Sequence, residues 1–184
     1  MARSAARCLV TGRPASGKPT VAEHLRATVR WPLITKDAIK ERLFATALDK
    51  SLASNAALGP AAWELLHYIL EVVMLTGAPV IAEGNFRPAA RPRLHSVLVR
   101  HGYDACETVL HAALDILRGR FLARLNDPAH HAGHTRGIDD PARYIEKTVR
   151  EPYAPMTLSE PVIYVDTGDW SRVILSNLVR LAGA

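Results

Sequence analysis

The sequence predicts a small α/β domain in which a mostly parallel sheet is wound with helices on both faces. Three observations predict it. Five short β-type runs alternate with longer stretches of helical periodicity, the pattern of parallel strands joined by crossover helices. A glycine-rich turn follows the first strand and opens the first helix, where doubly wound sheets hold their ligands. The 184 residues suit one compact domain, expected to span 1–184.

The elements follow in order. Arg7–Thr11 is the first strand, built on Cys8, Leu9 and Val10, and Thr20–Val29 is the helix after it. Pro32–Thr35 is the second strand, and Asp37–Thr46 continues as a helix. Pro60–Thr76 carries apolar residues at helical spacing and stops at Gly77, a common residue just past a helix end. Pro79–Glu83 is the third strand; Ala89–His101 is a helix that ends at Gly102 in the same way. Ala105–His111 is the fourth strand, and Leu114, Leu117, Phe121 and Leu125 mark one buried face of the next helix. Asn126–Ile138, with three histidines, two glycines and a proline, has no periodicity and is expected to be a mobile loop. Asp140–Arg150 is a helix, Val162–Asp166 the fifth strand, and Asp169–Leu181 the closing helix.

Composition narrows the class. Apolar residues make up 48% and charged residues 22%, too apolar for a disordered chain. No apolar run is expected to reach the roughly 18 residues of a membrane span; the longest, Leu65–Leu75, is broken by His67 and Glu71. Met1–Arg7 is basic, but the apolar stretch behind it is too short for a signal peptide. Cys8 and Cys106 form neither a disulfide framework nor a zinc pattern, so a cytoplasmic, reducing location is expected. The formal charge of +5, from 18 arginines and five lysines, suits anionic partners and is equally what coding bias toward Ala and Arg would produce.

The clearest chemical signal is Gly12-Arg13-Pro14-Ala15-Ser16-Gly17-Lys18-Pro19-Thr20. It reads G-x-x-x-x-G-K between a strand and a helix. Glycines let backbone wrap closely round a phosphate, and N–H groups at a helix start point at negative charge. Lys18 adds a point charge for the outer phosphates. The next residue should carry a Mg²⁺-ligating hydroxyl, and here it is Pro19. Thr20 keeps a hydroxyl one position late, about 100° round the helix. Proline also lacks an N–H and biases Lys18 away from helical dihedrals.

Other candidates sit after the strands. Asp37, behind Thr35 and Lys36, faces the same crevice and suits a base accepting a proton from a substrate hydroxyl; the rival reading is that it caps its helix. Lys40, one turn on, would steady Asp37 or a substrate phosphate, or is a solvated surface lysine. Glu83 ends the third strand, where it would hold Mg²⁺ through water, with Asn85 and Arg87 on the substrate side. Arg87, Arg91, Arg93 and Arg100 face an anionic substrate or form a solvated basic helix. Arg118, Arg120 and Arg124 precede the histidine-rich loop; Arg120 and Arg124 share a face and would neutralise charge on a transferring phosphoryl group. His130, His131 and His134 lack cysteine and a helical frame, and are expected at a solvent-exposed lid tip, not a metal site.

Taken together, these residues resemble a family of small P-loop kinases and AAA-type ATPases related to polynucleotide 5′-kinases, chloramphenicol phosphotransferase and zeta-type toxins. Gly12–Lys18 resembles the family's phosphate loop, Lys36-Asp37 with Lys40 its base element, and Val80–Phe86 its acceptor-side strand. Arg118–His134 resembles its arginine helix and lid, and Val165-Asp166-Thr167 its strand end near the adenine. The resemblance implies a P-loop NTPase-type three-layer sandwich, strand order 2-3-1-4-5, a lid over about 118–138, and ATP with Mg²⁺ as cofactors. Thr20 and Glu83 would be the metal-side residues; Gly12 to Thr20, Arg118 and Thr167 would contact nucleotide. The expected function is ATP-dependent phosphorylation of a small-molecule hydroxyl. A polynucleotide 5′-hydroxyl kinase, and a nucleotide-binding regulator with little turnover because of Pro19, remain open. No membrane partner is expected, and the sequence leaves the oligomeric state undecided.

Overall fold

The computed structural model describes residues 5–48, 51–135, 140–150, 153–158 and 162–173. Strands β1 (Ala5–Gly12), β2 (Leu33–Thr35), β3 (Val80–Glu83), β4 (Tyr103–His111) and β5 (Val162–Asp166) form one sheet. Its order is β2-β3-β1-β4-β5, and all four pairings are parallel. This is the order and the P-loop NTPase-type α/β architecture that the resemblance implies.

Strand parity builds the core. In β1, Leu9 points to one face, where it packs with Leu66, Leu70, Met74 and Phe86. Cys8 and Val10 point to the other, with Val21, Ala22 and Leu25 of α1 (Lys18–Val29). In β3, Val80 and Ala82 join the first cluster and Ile81 the second. Both faces are covered, which is why the strands read as continuous apolar runs.

Helix α2 (Lys36–Thr46) begins directly after β2. Helix α3 (Leu52–Leu75) starts eight residues before the expected Pro60, which lies inside it. The alanine- and leucine-rich stretch before Gly59 favours helix, and packing of α3 against α2 carries it across the proline. With those residues added, Asn55–Leu75 is long and apolar enough to cross a membrane by length and composition alone, contrary to the sequence expectation. Here Leu66, Leu70 and Met74 are buried on the sheet, while Leu65, Tyr68, Val72 and Leu75 are exposed.

A 3₁₀ turn at Pro88–Ala90 precedes α4 (Arg91–His101), closed by Gly102 at φ 67°. Helix α5 (Leu114–Leu125) packs on α7 (Pro141–Arg150) through Leu117 and Ile145, with Phe121 stacked on Tyr144. The expected mobile loop contains the short helix α6 (Ala132–Thr135), and its residues 136–139 lie outside the described ones. Of the expected closing helix, Asp169–Leu181, the described part is a 3₁₀ turn at Trp170–Arg172; residues 174–181 lie outside the described ones.

Segment 153–158 is tied to the sheet by Glu107. Its buried carboxylate accepts from the backbone N–H of Met156 at 2.8 Å and of Thr157 at 2.9 Å. Glu107→Gln puts an NH₂ where one of those donors expects an oxygen. The substitution is expected to cost about 1–3 kcal/mol in urea unfolding and to open this segment to limited proteolysis. Unchanged stability would show that the carboxylate is not the anchor.

Candidate active site

The phosphate-loop residues form a closed turn. Gly12 ends β1 at φ 145°, where an added Cβ would collide with the Leu110 carbonyl. Ser16 N–H donates to the Arg13 carbonyl at 3.2 Å, and Gly17, at φ 85°, caps α1. An added Cβ on Gly17 would run into the Trp170 ring. Lys18 is the first helical residue, so Pro19 does not displace it from helical geometry; first-turn positions tolerate proline. The Lys18 ammonium arches back to the Arg13 carbonyl at 3.0 Å and is buried, and burial pulls its pKa down against Glu83 and Asp37. The Ser16 hydroxyl is buried without a hydrogen-bond partner among the described residues.

Register sets the carboxylates beside this loop. Thr35 of β2 pairs with Glu83 of β3, and Glu83 with Val10 of β1, so three strand ends share one edge. The α2 cap is Thr35, whose Oγ1 accepts from Ala38 N–H at 3.1 Å. Asp37 is therefore not the cap, and its half-exposed carboxylate accepts from Lys36 Nζ at 3.2 Å. Burial pushes Asp37 up, but Lys36, His134 and Lys18 outweigh it and hold the carboxyl below its ordinary value. Glu83 is only 2% exposed; burial raises its pKa to about 7 against the pull of Lys18.

These groups line one cleft of about 170 Å³. Pro14, Ala15, Gly17, Lys18 and Pro19 form its floor; Asp37, Lys40, Glu83 and Asn85 stand on one side. Phe121, Arg124, His130, His134 and Tyr144 close the other. Of the predicted residues, Thr20 is exposed and outside this lining, as its rotation round the helix requires. Arg120 also lies off the cleft wall. Its guanidinium donates to the Thr167 carbonyl at 2.6 Å and sits over the Trp170 ring, 5.7 Å from the centroid. Thr167 in turn donates to the Ser16 carbonyl at 3.0 Å, so Arg120 and Thr167 brace the loop from behind. Arg118 pairs with Glu146 of α7 at 3.3 Å. Lys40 is no free surface lysine: its Nζ donates to the Gly133 carbonyl at 2.7 Å.

A second cavity of about 410 Å³ lies beside the first and shares Lys36 and Asn85 with it. Trp63, His67, Arg87, Ala89 and Ala90 line it. Trp63 meets Phe86 edge-on at 5.2 Å, and an added Cβ on Gly84 would lie 2.9 Å from its ring. Neither ring nitrogen of His67 meets a hydrogen-bond partner among the described residues. Burial and Arg93 hold His67 below its ordinary value, so it is neutral near pH 7. Sequence reasoning passed over Trp63 and His67. Their one signal is the four-residue spacing on α3, which gains meaning only once that helix is seen over the third strand's end.

The expected basic run is partly neutralised: Arg93 pairs with Glu64 at 2.5 Å and Arg100 with Glu71 at 2.8 Å. The histidines, expected at an exposed tip, are half-buried, and His134 Nε2 lies 2.9 Å from Glu41 Oε1. The loop fits a polyphosphate, given its buried lysine, orphaned Ser16 hydroxyl and glycine cradle. The fit to Mg²⁺ rests on carboxylates. Pro19 offers no side-chain oxygen, so a metal here would rest on Glu83, on the cleft wall, through water.

Glu83 carries a pH signature. Its folded pKa of about 7 exceeds its ordinary 4.5, so the folded state holds this proton more tightly than the unfolded chain. Its contribution is complete below 4.5 and is lost as pH rises through about 7. Glu83→Gln is expected to match the parent protein at pH 4 and to exceed it by up to about 3 kcal/mol at pH 8, read by thermal unfolding. Parallel stability curves would mean the carboxyl is not held neutral by burial.

Comparison with known proteins fits this geometry. A family model described as an AAA domain matches residues 8–146. A candidate kinase from Chloroflexus aurantiacus superposes with TM-score 0.87 at 28% identity, covering 97% of this chain and 96% of that one. The APS kinase CysC of Mycobacterium tuberculosis, solved with AMPPNP and APS, gives TM-score 0.60 at 19% identity, with 98% and 99% covered. Shikimate kinase from Bacteroides thetaiotaomicron gives 0.59 at 18%, with 95% and 94% covered. No curated protein sequence matches the chain. From its phosphate loop to α7 the chain belongs to the AAA-domain family, and it shares the fold of the P-loop kinases.

Proposed function

We propose that this protein is an ATP-dependent phosphotransferase acting on a hydroxyl group of a small cytoplasmic molecule. The observation that carries the reading is the meeting of Lys18, Asp37 and Glu83 in one cleft, beside a second, partly aromatic cavity that shares Lys36 and Asn85 with it. The Mycobacterium tuberculosis APS kinase, which shares this fold, holds AMPPNP and APS together, and that supports the same division.

In this mechanism the loop amides and Lys18 hold the β- and γ-phosphates. The acceptor lies against Trp63 and Asn85 with its hydroxyl toward Asp37. Asp37, kept ionised by Lys36, His134 and Lys18, takes the hydroxyl proton as the oxygen attacks. Arg124, on the α5–α6 lid, offsets charge on the transferring group. Arg120 and Thr167 hold the loop from behind. Mg²⁺, when bound, would supply charge neutralisation for the phosphates, and Glu83 is the residue on the cleft wall that would hold it through water. The polynucleotide reading loses its main support, because Arg93 and Arg100 are committed to Glu64 and Glu71.

Asp37→Asn is expected to leave ATP affinity within a few-fold and to cut turnover by roughly 10²–10⁴. Normal turnover in a steady-state assay would remove Asp37 from the mechanism.

The regulator reading keeps one specific observation, Pro19 in the cleft floor. Proline removes a backbone donor aimed at phosphate, and a hydrogen bond to a charged group is worth about 1.5–3 kcal/mol. Pro19→Ser is expected to tighten ATP by about 10- to 100-fold, more with Mg²⁺ than with chelator, and to raise phosphotransfer. Calorimetric titration under both conditions checks this. Equal Mg-ATP binding by both proteins would show that the native loop reaches the metal by another route.

A further inference from the structure

We propose that Glu41, His131 and His134 form a binding site for a borderline divalent cation of the zinc class, fastening α6 to α2. The site adjoins the cleft, whose wall includes His134, but its argument does not rest on the phosphotransfer reading. Glu41 stands on α2, one turn beyond Asp37; His131 and His134 flank the start and middle of α6. One ligand atom from each of the three lies within 4.8 Å of the other two. All three residues are half-buried; the His134 side chain is 15% exposed and that of Glu41 40%, which leaves the carboxylate side open to solvent.

The donor set decides the class of ion. Two imidazole nitrogens and one carboxylate oxygen suit zinc and its neighbours, whereas magnesium and calcium prefer all-oxygen shells. Zinc sits about 2.0–2.2 Å from such donors, which places tetrahedral ligands about 3.3 Å apart. His134 Nε2 and Glu41 Oε1 stand 2.9 Å apart, a hydrogen-bond length, and would give up that bond and open by about 0.4 Å to take an ion. Bringing the widest pair in from 4.8 Å takes about 1.5 Å, within the reach of an imidazole turning about its side-chain bonds. Three protein ligands leave one tetrahedral position to water.

Two neighbours limit the affinity. Gly133 N–H donates to His131 Nδ1 at 3.1 Å, so ligation through Nε2 requires the other tautomer and gives up this bond. Lys40, bonded to the Gly133 carbonyl, brings a positive charge close by. The His131 ring keeps its edge contact with Phe44 at 5.5 Å, which holds it near the site. Micromolar affinity is therefore expected, not the tight binding of a structural zinc.

The test uses the full chain, freed of metal by chelator, titrated calorimetrically with zinc chloride without nucleotide. The expected result is one zinc per chain, undisturbed by millimolar Mg²⁺. Glu41→Gln and His131→Ala should each weaken it by at least about tenfold, while exposed His24→Ala leaves it unchanged. Cobalt(II) should give the intense visible absorption of a tetrahedral site in the parent protein and not in the two ligand variants. Circular dichroism establishes that all variants are folded. Absence of zinc binding to the folded chain, or binding equal in parent, E41Q and H131A, would overturn the proposal.

Discussion

A lysine ammonium buried at the edge of the sheet sets the terms for everything around it. Lys18 is 6% exposed and makes its hydrogen bond to a loop carbonyl, not to a carboxylate. Taking a charge out of water costs several kcal/mol, and only nearby negative charge repays it. Glu83 and Asp37 supply part, but Glu83 is itself so buried that its pKa rises to about 7 and its charge is partial at neutral pH. Lys36, Lys40 and Arg124 line the same cleft, so positive charge stays in excess. A polyanion restores the balance, and the orphaned Ser16 hydroxyl and the glycine cradle stand where its oxygens would lie.

The sheet makes that cleft affordable to build. Parallel pairing aligns the ends of β1, β2 and β3, so the loop, the α2 start and Glu83 meet without any long-range fit beyond register. Local chemistry then sorts the roles. Thr35 satisfies an α2 donor, which releases Asp37 from capping and leaves it to face Lys36 and the cleft. The back of the loop is held independently, through Thr167 to the Ser16 carbonyl and Arg120 to Thr167.

Much of this was legible in the sequence because it is local. The five strands, the G-x-x-x-x-G-K turn and Asp37 are fixed by periodicity and by neighbours a few residues away. What was not legible depends on packing between distant segments. The start of α3 was misplaced because Pro60 looks like a helix start, and only the α2 surface shows why the helix continues past it. Trp63 and His67 read as one more turn of an apolar helix until β3 and the following loop are laid beneath them. Arg120 and Arg124 share a helical face in sequence, yet Trp170 and Thr167 draw one away and leave the other at the cleft. The histidines looked solvated because their partners, Glu41 and Phe44, lie far back in the chain.

Helix α2 joins the chemistry to the segment above it. Asp37, Lys40 and Glu41 fall at spacings of three and four, hence on one side of the helix. Lys40 grips the Gly133 carbonyl and Glu41 meets His134, while His134 is among the charges that hold the Asp37 carboxyl low. Moving α6 away would break both contacts and remove that influence, so the Asp37 pKa would climb toward its ordinary value. The same motion would take His134 from the cleft wall, while Arg124, on α5, keeps its place there. The base is thus best held in its ionised form when α6 rests against α2. That coupling needs no transmission through the core, because the base and the two residues that hold α6 stand on one helix of eleven residues.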